Sequence, residues 1–271
     1  YQLEYSRLFK SNISLILNIS PDHLERHKTI NKYVGAKFKL VRKQSKKDLA
    51  ILNVKNFYIK RELKSKNFLP KIIKIKKEID KTLLKKIDNP YFNTDGNIEN
   101  LKFVLEVVKL LKLKKSLLIK TLKKFKGLEY RQEKIYQSKK LTIINDSKAT
   151  TFSSSVSLLK SLNNVYWIVG GQAKKGDKLL LSKKDCKNFK AYIFGANKNF
   201  FISKIKKVMK YESFLDLKSL IKKLSSEIKV DKKIINKTIL FSPSAASFDS
   251  FKNFEKRGEY FNQLIKKYIH A

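Results

Sequence analysis

The sequence predicts an α/β fold in two lobes, and three observations lead there. Short apolar runs, such as residues 13–19 and 165–169, end directly in polar or glycine-rich loops, as buried strands do. Between such runs lie stretches with an apolar residue every three to four positions, the period of an amphipathic helix. Their alternation along 271 residues implies parallel βαβ units, with ligands gathered at the carboxyl ends of the strands.

The elements follow in order. Residues 13–19 form a strand that runs into Ser20-Pro21-Asp22. A helix is expected over 30–41, with Tyr33, Val34, Lys37 and Leu40 near one face, and residues 49–54 are a second buried strand. Residues 55–90 are Lys-rich and show only short strand-like runs. Ile98, Leu101, Val104, Leu105, Val108 and Leu111 form a strong helical stripe, and another helix spans about 116–125. Gly127 then interrupts, which divides the chain into domains of residues 1–126 and 127–271. The second domain opens with a strand pair at 134–145 and a helix at 153–162. Strands follow at 165–169, ending in Gly170-Gly171, and at 191–194, ending at Gly195. Helices at 198–208 and 216–227, a strand at 238–241 and a helix over 249–268 complete the pattern, with no internal repeat.

Composition narrows the function classes. Lys and Arg number 62 against 23 Asp and Glu, a formal net charge of +39, yet 42% of residues are hydrophobic. That excludes a disordered basic tail, which lacks the residues to build a core. No apolar run approaches the ~20 residues of a membrane span, so no membrane insertion is expected. The single cysteine, Cys186, cannot make an internal disulfide; with no signal peptide at the start, a cytoplasmic monomer is expected. The chain opens at Tyr1 rather than Met, as a piece of a longer protein would. Only six of the basic residues are Arg, the side chain that reads bases, and Lys is spread through every segment alongside abundant Ile and Asn. One reading is a bias toward A- and T-rich codons; the other is a surface selected for polyanions, as in a basic nucleic-acid-binding module.

Four segments carry candidate chemistry. Asn18 to His27 places Asp22, His23, Glu25, Arg26 and His27 directly after a strand, where imidazole or carboxylate could hold a divalent metal or form only a surface turn. Asn145 to Thr150 also follows a strand. Asp146 could accept hydrogen bonds from a ribose and Lys148 could hold an anion, or the segment could be a capped turn. Residues 170–178 have the glycine spacing of a phosphate loop at Gly171 and Gly176, but Asp177 stands where the lysine is needed and would repel phosphate. A Gly/Lys loop that binds a carboxylate or phosphate remains open there. Ser242 to Phe254 runs from a strand into the last helix, and its small residues and helix start suit an anion.

Taken together these segments resemble the Mur ligase family of peptidoglycan synthesis, and within it the branch that adds D-glutamate. Tyr1-Gln2-Leu3-Glu4 is similar to the end of that family's Ser-Ser-Phe-Gln-Leu-Glu motif, and Asn18–His27 with residues 33–37 to its metal loop and following helix. Residues 127–133 are similar to Gly-Leu-Pro-His-Arg-x-Glu, and Asn145–Thr150 and Ser242–Gly258 match that branch almost residue for residue. The resemblance implies the C-terminal part of a central ATPase domain followed by a Rossmann-like domain that binds the amino acid. It implies an ATP-dependent ligase that converts the carboxylate of UDP-N-acetylmuramoyl-L-alanine to an acyl phosphate, which the amine of D-glutamate attacks. By motif position His23 and Lys37, the latter as a carbamate, would hold Mg2+ and serve catalysis together with Lys148. Asn97 and Asn100 would contact adenine, Asp146 the ribose and Arg131 the ATP phosphates. Lys148, Thr150, Ser247, Phe248 and Phe254 would surround D-glutamate, with Lys174 nearby. No specific nucleic acid is implied.

The sequence departs from the family at Gly96, where His is usual, at Tyr130, also usually His, and at Thr151, where Asn is common. The family's true phosphate loop and N-terminal uridine-nucleotide domain are expected upstream, so this stretch is expected to be inactive alone. A ligase of the same superfamily with another amino-acid specificity would keep the ATP-side residues but not the Ser242–Phe254 pattern.

Overall fold

The computed structural model describes residues 2–75, 78–174, 176–186, 188–230 and 236–269; Tyr1, Lys175 and His270 lie outside these. The chain divides into two units, Tyr1–Phe125 and Lys126–Ala271.

The first unit runs α1 (Gln2–Tyr5), β1 (Ile13–Ile16), α2 (Leu24–His27), α3 (Ile30–Arg42), β2 (Leu49–Asn53), α4 (Phe57–Ser65), β3 (Lys71–Ile75), α5 (Lys81–Ile87), a 3-10 turn (Pro90–Asn93), α6 (Asp95–Leu110) and α7 (Lys115–Lys124). Its sheet is parallel in the order β1-β2-β3. The central strand β2 is covered on both faces. Ala50 and Leu52 pack with Val34, Phe38 and Val41 of α3 and Ile59 of α4, while Ile51 packs with Phe103 of α6 and Ile75. Burial on both sides is why this strand reads as an uninterrupted apolar run. Thr29 and Thr94 cap α3 and α6 by accepting the N–H of Lys32 and Asn97.

The Lys-rich stretch 55–90, expected to hold only strand-like runs, contains α4, β3 and α5. Its helices are anchored by apolar residues four apart, Ile59 with Leu63 and Leu83 with Ile87, which place one stripe on the core. The lysines between them face solvent, and lysine is a good helix former, so charge hides the pattern without opposing it.

The second unit contains β4 (Glu133–Gln137), β5 (Leu141–Asn145), α8 (Phe152–Lys160), β6 (Val165–Gly170), β7 (Lys190–Phe194), α9 (Lys198–Ile205), β8 (Lys210–Phe214), α10 (Leu217–Val230), β9 (Lys237–Phe241) and α11 (Phe254–Tyr268). The six strands are ordered β4-β5-β9-β6-β7-β8; β4 is antiparallel to β5 and the other pairs are parallel. Side chains of β6 alternate between two cores. Val165, Trp167 and Val169 join Phe152, Leu159 and Phe201 beneath α8 and α9, whereas Tyr166 and Ile168 join Leu220, Ile221 and Phe261 beneath α10 and α11. The arrangement is a doubly wound α/β sheet in which the crossover from β5 to β6 steps over β9, and in such sheets ligands bind at the carboxyl ends of the strands.

Two boundaries differ from expectation. Strand β8 lies at the sheet edge with half-exposed residues, so its pattern carries no apolar run. The last helix starts at Phe254 rather than 249. The Ser247 carbonyl accepts the N–H groups of Ser250 and Phe251, which closes a turn first, and Asn253 then caps the helix through the Lys256 N–H.

Candidate functional site

In the first unit, candidate residues collect at the carboxyl end of β1 and the start of α3. His23 precedes α2 in a left-handed conformation (φ 54°). Its ring lies 3.5 Å from an Asp22 oxygen and 3.6 Å from a Glu25 oxygen. Tyr33, one turn before Lys37 on α3, is the hub of the group. Its ring is 6.2 Å from His23 and 5.2 Å from the buried His27, and the Lys37 Nζ stands 5.0 Å from its centroid. Burial lowers the pKa of Lys37, opposed by the charge of Asp22, so the ammonium form is disfavoured at this position. Arg26 donates to Glu4 at 3.0 Å, and the Lys39 ammonium donates to the Glu4 carbonyl, which fastens the Gln2–Glu4 motif to this loop.

Asn97 and Asn100 stand one turn apart at the start of α6. Asn97 is buried and its amide donates to the Tyr91 carbonyl at 2.7 Å, while Asn100 is exposed. Between them Glu99 is half-buried with its pKa raised by burial, and it accepts from the Asn53 amide at the end of β2.

In the second unit, the carboxyl ends of β5, β6 and β9 are stitched into one platform. Asp146 is buried: one carboxylate oxygen accepts the Gln132 N–H at 3.1 Å and the other the Ser242 hydroxyl at 2.8 Å. Burial pushes its pKa up to about 7 against those hydrogen bonds. Ser242 in turn contacts Ser155, which contacts Ser244, each at 2.6 Å. Gln172 and Ala246 form an isolated antiparallel bridge. Gly171 has φ 124°, and a Cβ there would sit 2.7 Å from the Ala246 carbonyl, so only glycine permits that approach.

The remaining candidates lie around this platform. Lys148 donates its backbone N–H to the Tyr130 carbonyl at 2.9 Å and lays its ammonium 3.8 Å from the centroid of Phe254. Thr150 is half-buried, Ser247 is buried and Phe248 is 72% exposed. Arg131 is exposed between Tyr130 and Gln132, both left-handed (φ 58° and 51°). The Lys174 carbonyl accepts the Asp177 N–H, and the Asp177 carboxylate accepts the Phe152 N–H at 2.7 Å. Asp177 therefore faces the start of α8 and fills a donor a bound anion would use. The start of α11 is capped by Asn253, whose side chain accepts the Lys256 N–H and so takes one of the first-turn donors.

The sequence reading missed Arg257, Tyr33, Ser147 and Glu99. Arg257 is wholly buried, donating to Ser147 Oγ at 3.1 Å, the Ser147 carbonyl at 2.7 Å, the Ala245 carbonyl at 3.0 Å and the Ala246 carbonyl at 3.2 Å. The signal was available: Arg257 interrupts the helical stripe of Phe254, Gly258 and Phe261, and a charge on an apolar stripe needs internal partners.

Mg2+ takes oxygen ligands and keeps several waters, so one or two protein ligands suffice. Among the described residues no three His, Cys, Asp or Glu side chains gather into a metal-holding group. Of the expected pair, Lys37 would offer an oxygen only as a carbamate and His23 offers an imidazole nitrogen, so the two would supply part of the shell and water the rest; burial lowers the Lys37 pKa, which eases loss of its proton. No described helix is long and apolar enough to cross a membrane.

Comparison with known proteins follows the same division. Residues 2–114 match the Mur ligase middle domain. The chain is 30% identical over 285 residues to UDP-N-acetylmuramoylalanine--D-glutamate ligase of Rickettsia felis, covering 99% of this chain and 63% of that protein. It is 33% identical to the protein of that name in a Wolbachia symbiont of Brugia malayi, covering 96% of this chain and 54% of that one. The chain thus spans less than two thirds of the length of these relatives. Among solved structures, MurF ligase from Thermotoga maritima in complex with ADP superposes with a TM-score of 0.65 at 14% identity, covering 96% of this chain and 63% of that one. MurF from Acinetobacter baumannii gives 0.66 at 15% identity, covering 97% and 60%, and both show the fold. The first unit is thus matched by the Mur ligase middle-domain model, and nearly the whole chain is similar to D-glutamate ligases at 30–33% identity.

Proposed function

We propose that this chain is the greater part of an ATP-dependent amide ligase that joins D-glutamate to UDP-N-acetylmuramoyl-L-alanine through an acyl phosphate. The observation that carries the reading is the strand-end platform of the second unit. Asp146 and Lys148 from one stretch of sequence and Ser247 and Phe254 from another are gathered past the ends of β5 and β9 and at the start of α11: the Lys148 ammonium lies over the Phe254 ring, the Ser147 hydroxyl donates to the Phe254 carbonyl, and the Ser242 hydroxyl donates to Asp146. The relatives that match the whole chain bear the name of this reaction.

The residues divide the work. The Lys148 ammonium, held over the Phe254 ring, pairs with a carboxylate of D-glutamate, and Thr150, Ser247 and Lys174 supply further polar contacts. The exposed Phe248 ring closes over the amino acid and excludes water. Asp146 accepts from the ribose hydroxyls of ATP, Asn97 and Asn100 address adenine, and Arg131 faces the phosphates. His23 and a carbamate on Lys37 hold Mg2+, which when bound offsets the charge of the phosphates. A carbamate forms when a neutral amine adds carbon dioxide and loses a proton, and burial lowers the Lys37 pKa toward that neutral form. The acid's carboxylate oxygen attacks the γ-phosphorus of ATP, ADP leaves, and the amine of D-glutamate then displaces phosphate from the acyl carbon as it loses a proton.

The test is an amine panel on the full-length protein with UDP-N-acetylmuramoyl-L-alanine and ATP, with products read by mass. Product with D-glutamate and little with L-glutamate, L-alanine or L-lysine supports the reading. Preference for another amine refutes it.

A further inference from the structure

We propose that Arg257 is a positioning residue for the amino-acid end of the second unit: its guanidinium fixes the backbone of Ser147, Ala245 and Ala246, and so sets the aim of Lys148 and Ser247. The inference rests on the function proposed above and adds a residue to it.

The geometry singles this side chain out. Arg257 spans two strand-end segments, the loop after β5 and the loop after β9. Its Nε and Nη2 hold Ser147 by both hydroxyl and carbonyl, while Nη2 and Nη1 hold the successive carbonyls of Ala245 and Ala246. Ser147 passes the hold onward by donating its hydroxyl to the Phe254 carbonyl at 2.8 Å. Both residues next to these anchors, Lys148 and Ser247, belong to the proposed D-glutamate contacts. Gly171 completes the packing, since a Cβ there would sit 3.0 Å from Nη1.

The electrostatics argue against a filler. A buried guanidinium is costly unless it is paired with an acid. Among the described residues no carboxylate lies within ion-pair distance of Arg257, and its direct partners are all neutral oxygens. Burial lowers its pKa to about 10, and the exposed Asp249 acts on it only through its more distant charge. An apolar side chain would fill the stripe between Phe254 and Phe261 at less cost. What only arginine supplies is a planar fork that reaches four oxygens at once, and a positive charge under the loops that receive a dicarboxylate. Lysine, with one nitrogen, cannot reach all four oxygens.

The experiment compares Arg257→Lys and Arg257→Met with wild type in the full-length protein. It reads KM for D-glutamate, KM for ATP, kcat, melting temperature, and hydrogen exchange at residues 146–148 and 245–247. Loss of hydrogen bonds to a charged group predicts a D-glutamate KM raised about 10- to 100-fold in both variants, with the ATP KM within about 2-fold. Exchange in the two loops should rise while the rest of the sheet stays protected. Unchanged KM values with kcat reduced only in proportion to unfolded protein would overturn the inference, as would Arg257→Met at full D-glutamate affinity. Should Arg257→Met fail to fold, Ser147→Ala removes one anchor alone and is expected to raise the D-glutamate KM in the same direction; an unchanged value counts against the inference. If wild type uses another amine, the proposed function fails, while the KM for that amine still decides the role of Arg257. If it uses none, the loop exchange in Arg257→Lys decides it.

Discussion

The Lys148 ammonium lies 3.8 Å from the centroid of the Phe254 ring, joining the loop after β5 to the first residue of α11. Among the described residues no carboxylate forms an ion pair with this ammonium, so the contact holds a cation at the platform whose charge a ligand can use. Replacing Phe254 by Leu keeps the apolar contact and removes the π-face. A cation–π contact worth about 1 kcal/mol implies a D-glutamate KM raised roughly 5-fold. Lys148→Ala removes the cation itself and should lower kcat/KM for D-glutamate by at least ~100-fold; steady-state kinetics with D-glutamate varied separate the two effects.

Tyr130 packs against Gly258 so closely that a Cβ at Gly258 would enter its ring. The turn bearing Arg131 is therefore seated on α11 by a missing side chain. Gly258→Ala should force the Tyr130 ring aside at a cost of about 1–3 kcal/mol, lowering the melting temperature of the chain measured by circular dichroism. The ATP KM of the full-length protein should rise with it, because the Arg131 turn shifts. An unchanged melting temperature would mean the turn yields freely.

Asp146 gives a pH signature. Its pKa is about 7 in the folded chain against 3.8 without burial. Between those values the folded chain holds a proton the unfolded chain has lost, so stability from this group falls as pH rises from about 4 to 7 and levels above. A difference of this size is worth about 4 kcal/mol across the window. Asp146→Asn removes that term, so urea unfolding between pH 5 and 8 should lose this downward slope. A variant with the wild-type slope would place the titration elsewhere.

Lys37→Arg keeps a positive charge on α3 but cannot form a carbamate. The variant is expected to fold, with a melting temperature within a few degrees of wild type, and to lose at least ~100-fold in kcat of the full-length protein. Wild-type rates from Lys37→Arg would remove Lys37 from the proposed magnesium shell.

Much of this was legible in the sequence for physical reasons. Strands covered on both faces, such as β2 and β6, appear as apolar runs because all of their residues but Leu49 are buried. Loops that end them announce candidate chemistry because an α/β sheet presents its ligands there. Edge strand β8 and the helices of 55–90 were obscured because few of their residues are buried and lysine fills the rest. At the platform, Asp146 and Lys148 stood out as polar residues after a strand. Arg257 is marked in the sequence only as a charge on an apolar stripe; its partners are not, since they are carbonyls from residues 12 and 110 positions away and backbone oxygens leave no mark in a sequence. Tyr33 was assigned to a helix face; its place between His23, His27 and Lys37 depends on how the preceding loop folds back.

The central claim is that an acid is activated as its acyl phosphate before an amine attacks it. The most direct measurement follows 18O from the carboxylate of labelled UDP-N-acetylmuramoyl-L-alanine during turnover by the full-length protein with ATP and D-glutamate. The account predicts one 18O transferred to each phosphate released, and release that depends on D-glutamate. Phosphate free of label, or label retained entirely in the product, would contradict it.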